Sequence, residues 1–172
     1  MYWQKRMASL PRWQNLTMEI LDQKILTLLA QDSEQSLEDL STKLAIPSST
    51  LHQRIKKLES KGVISGYQAN LNYKLVGLNT TSFIFLTPID PSAPDDVPSR
   101  IESIAEIEGC WSVAGPHSYL VKVNVSEPED LEGLLAKIRA AANVRTETTV
   151  VLSTPFDNRP PVIPINSESK GK

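Results

Sequence analysis

Residues 37–67 read LEDLSTKLAIPSSTLHQRIKKLESKGVISGY, and the spacing of their apolar residues decides how the rest of the chain is read. Ser36 stands just before them with Asp39 three residues on, a capping-box-like helix start with Asp in place of the usual Glu or Gln. Leu37, Leu40 and Leu44 recur at helical spacing and predict one buried face. Pro47 ends that helix, because the residue before a proline is pushed out of the α region, and Ala45 and Ile46 make the turn. Ser48 is the expected N-cap of a second helix, with Leu51, Ile55 and Leu58 facing inward. Gly62 is expected to stop it in a left-handed conformation. Apolar residues alternate around Gly66 from Val63 to Leu71 and predict two short strands, a wing.

The second helix turns Ser49, Thr50, His52, Gln53, Arg54, Lys56, Lys57 and Lys61 outward, with Glu59 as the one acid. A helix that follows a tight turn and carries such a face fits the major groove of double-stranded DNA, where its N-terminal residues meet base edges. Ser and Gln hydrogen-bond those edges, and Arg54, Lys56 and Lys57 suit phosphates or guanines. The candidate DNA contacts are therefore Ser48, Ser49, Thr50, His52, Gln53, Arg54, Lys56 and Lys57. The competing reading is a helical hairpin with a solvated basic face.

The chain has 172 residues, 40% of them apolar, which is enough for a packed core in one domain or two small ones. No apolar run reaches the roughly 20 residues that cross a bilayer, and the N-terminus lacks the apolar centre of a signal peptide. Cys110 is the single cysteine, so no internal disulfide or cysteine metal cluster is expected, and the chain fits a reducing cytoplasm. Net charge is −2, yet residues 1–72 carry +2 and residues 73–172 carry −4. The positive charge gathers on and near the second helix, where two copies in a dimer would strengthen it.

Outward from this segment, residues 1–16 form an extension with Trp3, Pro11 and Trp13. A first helix is expected from Met18 to Gln31, with Thr17 as its cap and Leu21, Ile25, Leu28 and Leu29 as its stripe. The DNA-binding domain then spans 17–71, and residues 72–79 form a hinge. Beyond it the expected order is a strand (81–88), a helix marked by Ile101, Ile104 and Ile107, strands at 110–114 and 119–125, a helix begun by Pro128, and a strand at 144–152. That is βαββαβ, a ferredoxin-like α+β domain over 80–154, with helices on one face of an antiparallel sheet. A second copy of the chain is the simplest cover for the other face. Residues 155–172, with Pro160, Pro161 and Pro164 and ending in SESKGK, are expected to be a flexible tail.

Four segments resemble the Lrp/AsnC, or feast/famine, family of transcriptional regulators, over roughly residues 18–155. They are Leu21–Leu26, Arg54–Tyr67, Val113–Leu120 and Val144–Thr148, the second being the most specific. SVAGPHSY followed by ANVRT looks like the actinobacterial branch. The resemblance implies a winged helix-turn-helix joined to an effector-binding RAM domain, which pairs sheet to sheet in homodimers that commonly assemble into octamers. It also implies a sequence-specific regulator of amino-acid-linked metabolism, with a small effector, usually an amino acid, held between RAM domains. Ser118 departs from the family's Gly-x-x-Asp-Tyr loop and offers a neutral hydroxyl in place of a carboxylate.

The candidate effector residues are Gly115, Pro116, His117, Ser118 and Tyr119 in the loop, and Thr146 and Thr148 on one face of the last strand. β-Branched threonines also simply suit a strand. The sequence has no Gly-rich phosphate loop, metal-spaced Cys/His pair or nucleophile motif, so no enzyme, cofactor or metal is expected. Two alternatives stand beside the regulator. One is an architectural DNA binder without an effector. The other is an enzyme like the siroheme decarboxylases, which share this fold.

Overall fold

The computed structural model describes residues 18–164, which divide into two compact units, residues 18–69 with 158–164 and residues 70–157. The extension at 1–16, the proposed cap Thr17 and the SESKGK end lie outside the described residues.

In the first unit, α1 is Ile20–Gln31, α2 is Leu37–Leu44 and α3 is Ser48–Ser60. Ile25, Leu40, Leu51, Ile55 and Leu58 form its core, with Leu44, Val63 and Ile64 packed at the margin. Leu37, expected on the buried face, is 40% exposed, because it opens the first turn of α2 and Leu40 takes the central position. Ser36 caps α2 as expected: its Oγ accepts the Asp39 N–H at 3.1 Å and donates to the Asp39 carboxylate at 2.7 Å. The short Asp side chain thus returns a bond to the hydroxyl, where the longer Glu of a capping box would reach the backbone.

Two helix starts differ from expectation. α1 begins at Ile20 behind Glu19, two residues later than Met18. α3 is preceded by Pro47 in extended conformation, and Ser48 is the first helical residue, its hydroxyl bonding the Ser41 hydroxyl at 3.2 Å. Proline's fixed φ suits the extended position before a helix, so Ser48 is displaced from the cap. The exit of α3 is as expected. Gly62 has φ +69°, its N–H bonds the Glu59 carbonyl and the Val63 N–H bonds the Leu58 carbonyl. These two bonds make a Schellman motif, and Val63 joins the core cluster that contains Leu58.

The expected wing strands are absent, and residues 63–72 run without regular structure. A two-stranded ribbon with no third strand is marginal. The Tyr67 hydroxyl instead bonds the Glu59 carboxylate at 3.1 Å.

In the second unit, β1 is Thr80–Pro88, α4 is Val97–Ile101, β2 is Ile107–Ser112, β3 is Tyr119–Val125, α5 is Asp130–Ala142 and β4 is Val144–Val150. The sheet order is β2-β3-β1-β4, all antiparallel, the ferredoxin-like arrangement. Ile84, Leu86, Val121, Val123 and Val144 turn to one face and form a single core with Val97, Ile101, Leu131, Leu134 and Ile138 of the helices.

Several boundaries differ. The first helix of this unit starts at Val97 with Pro98 in its first turn and ends at Ile101; Ile104 lies in a turn and Ile107 opens β2. The second strand therefore runs from Ile107 to Ser112, not 110–114, with a bulge at Ile107/Gly109. Pro128 sits in the turn ahead of α5, whose first residue is Asp130. Asn143 closes α5 at φ +52°, so β4 starts at once and stops at Val150.

Gly62 has open space where a Cβ would stand, so Gly62→Ala tests backbone strain alone. We expect a loss of about 1 kcal/mol, since a left-handed conformation costs an L-residue that much. Gly66→Ala, with neither a positive φ nor a near neighbour, should be neutral in the same urea titration. Equal effects at both positions would contradict the Schellman assignment.

Candidate nucleic-acid interface and effector face

α3 divides cleanly. Leu51, Ile55 and Leu58 are buried, while Ser48, Ser49, Thr50, His52, Gln53, Lys56 and Lys57 are exposed. The first two turns present hydroxyl, imidazole and amide groups with no acid among them. This is the chemistry that reads base edges. Its cations are not equivalent. Lys56 Nζ pairs with Glu59 at 2.9 Å. The Lys57 and Lys61 ammonium groups make no hydrogen bond or ion pair among the described residues, although their charges help to lower the Glu19 carboxyl pKa.

Arg54 departs most from expectation. Its Nη1 lies 2.8 Å from Asp22 Oδ1 and 2.7 Å from Glu19 Oε2, and the side chain is 26% exposed. The bonds to Asp22 and then Glu19 push the guanidinium pKa further up, and Arg54 holds the Glu19 carboxyl below its ordinary range. The guanidinium expected at a phosphate or guanine is bound here to the α1 end of its own unit. Spacing along α3 could not show it, because its partners lie 32 and 35 residues away in sequence.

The effector candidates separate onto two faces of the sheet. Thr146 and Thr148 alternate with Val144 and face the helices, where Arg139 of α5 donates to Thr146 Oγ1 at 3.2 Å. Tyr119, expected among the effector residues, is 3% exposed within the core. Its register partner Leu86 is fully buried on the same face.

His117 lies on the opposite, open face. Its ring stacks on Phe85 with centroids 4.9 Å apart, Nδ1 is 3.1 Å from Thr87 Oγ1, and Nε2 is 3.5 Å from Glu147 Oε2. Gly115 and Pro116 are exposed beside it, and the Ser118 N–H bonds the Leu86 carbonyl at 3.1 Å, which anchors the loop to β1. The structure thus joins His117 to Phe85, Thr87 and Glu147, and not to the two threonines. Strand alternation held this signal: Thr146 and Thr148 share parity with apolar Val144, and Glu147 does not.

The same open face carries Trp111, whose indole covers Gly109; a Cβ there would lie 2.6 Å from the ring. Next to them is a polar network. Glu108 accepts from Tyr73 at 2.9 Å, Lys122 at 3.0 Å and Asn124 at 2.6 Å, and Asn124 accepts from Thr81 at 2.7 Å. Lys122 also stands 5.5 Å from the Tyr73 ring centre. Burial pushes the Glu108 carboxyl up, but bonds from Lys122, Tyr73 and Asn124 together with the Lys122 charge outweigh it and hold the carboxyl below its ordinary value. Cys110 points to the other side, half-buried against the core, and burial raises its thiol pKa. No helix among the described residues is long and apolar enough to cross a membrane.

A three-helix unit whose third helix opens with an acid-free polar face, followed by a ferredoxin-like unit with an imidazole–carboxylate cluster on its sheet, fits a DNA-binding regulator of the one-helix-in-the-groove kind. Comparison with known proteins agrees. Residues 18–65 match the winged helix-turn-helix DNA-binding family, and residues 81–161 match the Lrp/AsnC ligand binding domain. The HTH-type transcriptional regulator LrpA of Mycobacterium tuberculosis is 41% identical over 145 residues, covering 84% of this chain and 97% of that protein. The chain belongs to the Lrp/AsnC family. A crystal structure of M. tuberculosis LrpA, the leucine response regulatory protein, superposes with TM-score 0.78 at 41% identity, covering 86% of this chain and all of that one. The M. tuberculosis feast or famine regulatory protein complexed with L-methionine superposes with TM-score 0.81 at 42% identity, covering 84% and 97% of the two chains.

The Glu108 network gives a pH prediction. A carboxyl with a depressed folded pKa contributes stability that is present above its unfolded value, 4.5, and is lost as pH falls through the folded value. Stability of wild type should therefore fall more steeply below pH 4.5 than that of Glu108→Gln, read as urea midpoints across pH. Parallel profiles would show that the network adds nothing.

Proposed function

We propose that this protein regulates transcription by laying the N-terminal half of α3 in the major groove, under the control of an amino-acid-like effector bound at the open sheet face. The observation that carries the reading is the acid-free exposed row Ser49, Thr50, His52 and Gln53 set on a helix whose other side is wholly buried. Lys57 and Lys61 continue that face and suit the DNA backbone. Ser48 and Lys56 stand at its edges.

For the effector, Gly115, Pro116, His117 and Ser118 line one side, and Glu147 brings an exposed carboxylate suited to an ammonium group. Glu147 thereby supplies the charge that Ser118 lacks. The L-methionine complex of the M. tuberculosis relative supports an amino acid as the ligand class. Pairing of two open sheet faces, where Trp111 is 48% exposed, makes the homodimer, and dimers build the octamer. Two α3 helices of a dimer then enter major grooves about 34–36 Å apart.

Titrating the full chain with promoter-region DNA, with and without each of the twenty amino acids, tests the reading. Salt-sensitive binding altered by one amino acid is expected. Glu147→Gln should blunt that response and leave DNA affinity without effector unchanged. Binding that no amino acid alters would favour the architectural reading, and no binding at any salt would exclude the regulator.

A variant pair separates base from backbone contacts. Gln53→Ala should cost about 1–3 kcal/mol at one base position. Lys57→Ala should weaken all sequences alike and flatten the slope of log K against log salt by about 0.9. Unchanged binding in both variants would remove this face of α3 from the interface.

A further inference from the structure

We propose that Arg54 is a positioning residue, which fixes the angle at which α3 offers Ser49, Thr50, His52 and Gln53 to DNA and does not itself contact DNA. The proposal rests on the DNA reading above.

The geometry is specific. Arg54 sits on α3 between the buried Ile55 and the exposed Gln53, at the edge of the apolar seam. One nitrogen, Nη1, reaches both Asp22 in the first turn of α1 and Glu19 just before it. Asp22 is itself only 13% exposed, so withdrawing the guanidinium toward a phosphate would leave a largely buried carboxylate without its cation. Two carboxylates on one guanidinium also leave no net positive charge to attract a phosphate. Lys57 and Lys61, by contrast, make no ion pair at contact distance among the described residues, and their charges reach Glu19 only at longer range.

Orientation is what this contact adds. The seam of Ile25, Leu40, Leu51, Ile55 and Leu58 holds α3 by burial, which is non-directional and resists rotation or sliding weakly. Charge-assisted hydrogen bonds are directional. Among the described residues, Arg54 is the side chain of α3 that makes ion pairs to the α1 end. A helix that reads bases must hold its side chains to within a fraction of an ångström, so loss of this contact should degrade discrimination before it degrades affinity for DNA in general.

The test uses the full chain, a duplex selected by wild type from a random library, and a scrambled duplex of the same length. Each is titrated at several potassium chloride concentrations, with thermal midpoints measured alongside. Arg54→Ala and Asp22→Asn should each lower affinity for the selected duplex roughly tenfold, the discrimination of about one good base contact. The scrambled duplex should bind as before, with an unchanged salt slope. Arg54→Lys, which keeps the cation, should recover part of the discrimination.

Asp22→Asn gives the sharper sign. Asp22→Asn removes a negative charge and cannot take away a phosphate contact, so a loss confined to the selected duplex requires a change in position. Equal weakening on both duplexes with the slope reduced by about 0.9 would make Arg54 a phosphate contact and overturn the proposal. A lower thermal midpoint with discrimination intact would reduce it to fold support and also overturn it. Wild type that binds neither duplex would instead sink the DNA reading on which the proposal rests.

Discussion

α3 must bury Leu51, Ile55 and Leu58 and keep Ser49, Thr50, His52 and Gln53 in water, and the function depends on this division. The three apolar residues draw the helix onto Ile25 and Leu40, and each buried side chain of this size contributes about 1.5–3 kcal/mol. The burial decides which residues are left outside, and these are the hydroxyl, imidazole and amide groups of its first turns. The termini follow from the same need. Pro47 delivers the chain into the helix at a sharp turn, and the Gly62 Schellman motif returns Val63 to the core at the far end. Burial leaves rotation of α3 about the seam weakly determined, and Arg54 with Asp22 and Glu19 supplies a directional restraint.

The second unit solves a different problem with a period of two. Its strands give one face to the helices and leave the other open. The open face mixes large apolar groups, Trp111 and Phe85, with the linked polar set Glu108, Asn124, Lys122 and Tyr73. Mixed surfaces of this kind suit a specific partner better than a core, because each polar group already has a bond and stays satisfied when water is removed. At one end of that face the β2–β3 loop holds His117 over Phe85 with Glu147 beside it, an imidazole and a carboxylate on an aromatic floor. That combination fits a small zwitterion.

Much of this was legible in the sequence, and the reasons differ by element. The stripe of α3 and the alternation YLVKVNV of β3 carry strong single periods; β3 stands where expected and α3 is displaced by one residue at its start. The run Ile101, Ile104, Ile107 carries a helical period across a turn and into a strand, and only pairing with β3 assigns Ile107 to the sheet. The wing was read from alternation alone, which says nothing about whether a partner strand exists. The ion pairs of Arg54 were not legible because helix spacing describes one helix, and its partners come from another. The surroundings of His117 were half visible. The loop residue was named but its neighbours Phe85, Thr87 and Glu147 were not, and Thr146, Thr148 and Tyr119 lie on the helix face, which parity along β4 already held for the threonines.

The most direct test of the account is to place a photoreactive side chain at residue 53 on α3 and, separately, at residue 149 on the open sheet face, and to irradiate each with promoter-region duplex. Cross-links to major-groove bases from residue 53 and none from residue 149 are the predicted result. DNA cross-links from residue 149 alone would contradict the assignment of α3 as the reading helix.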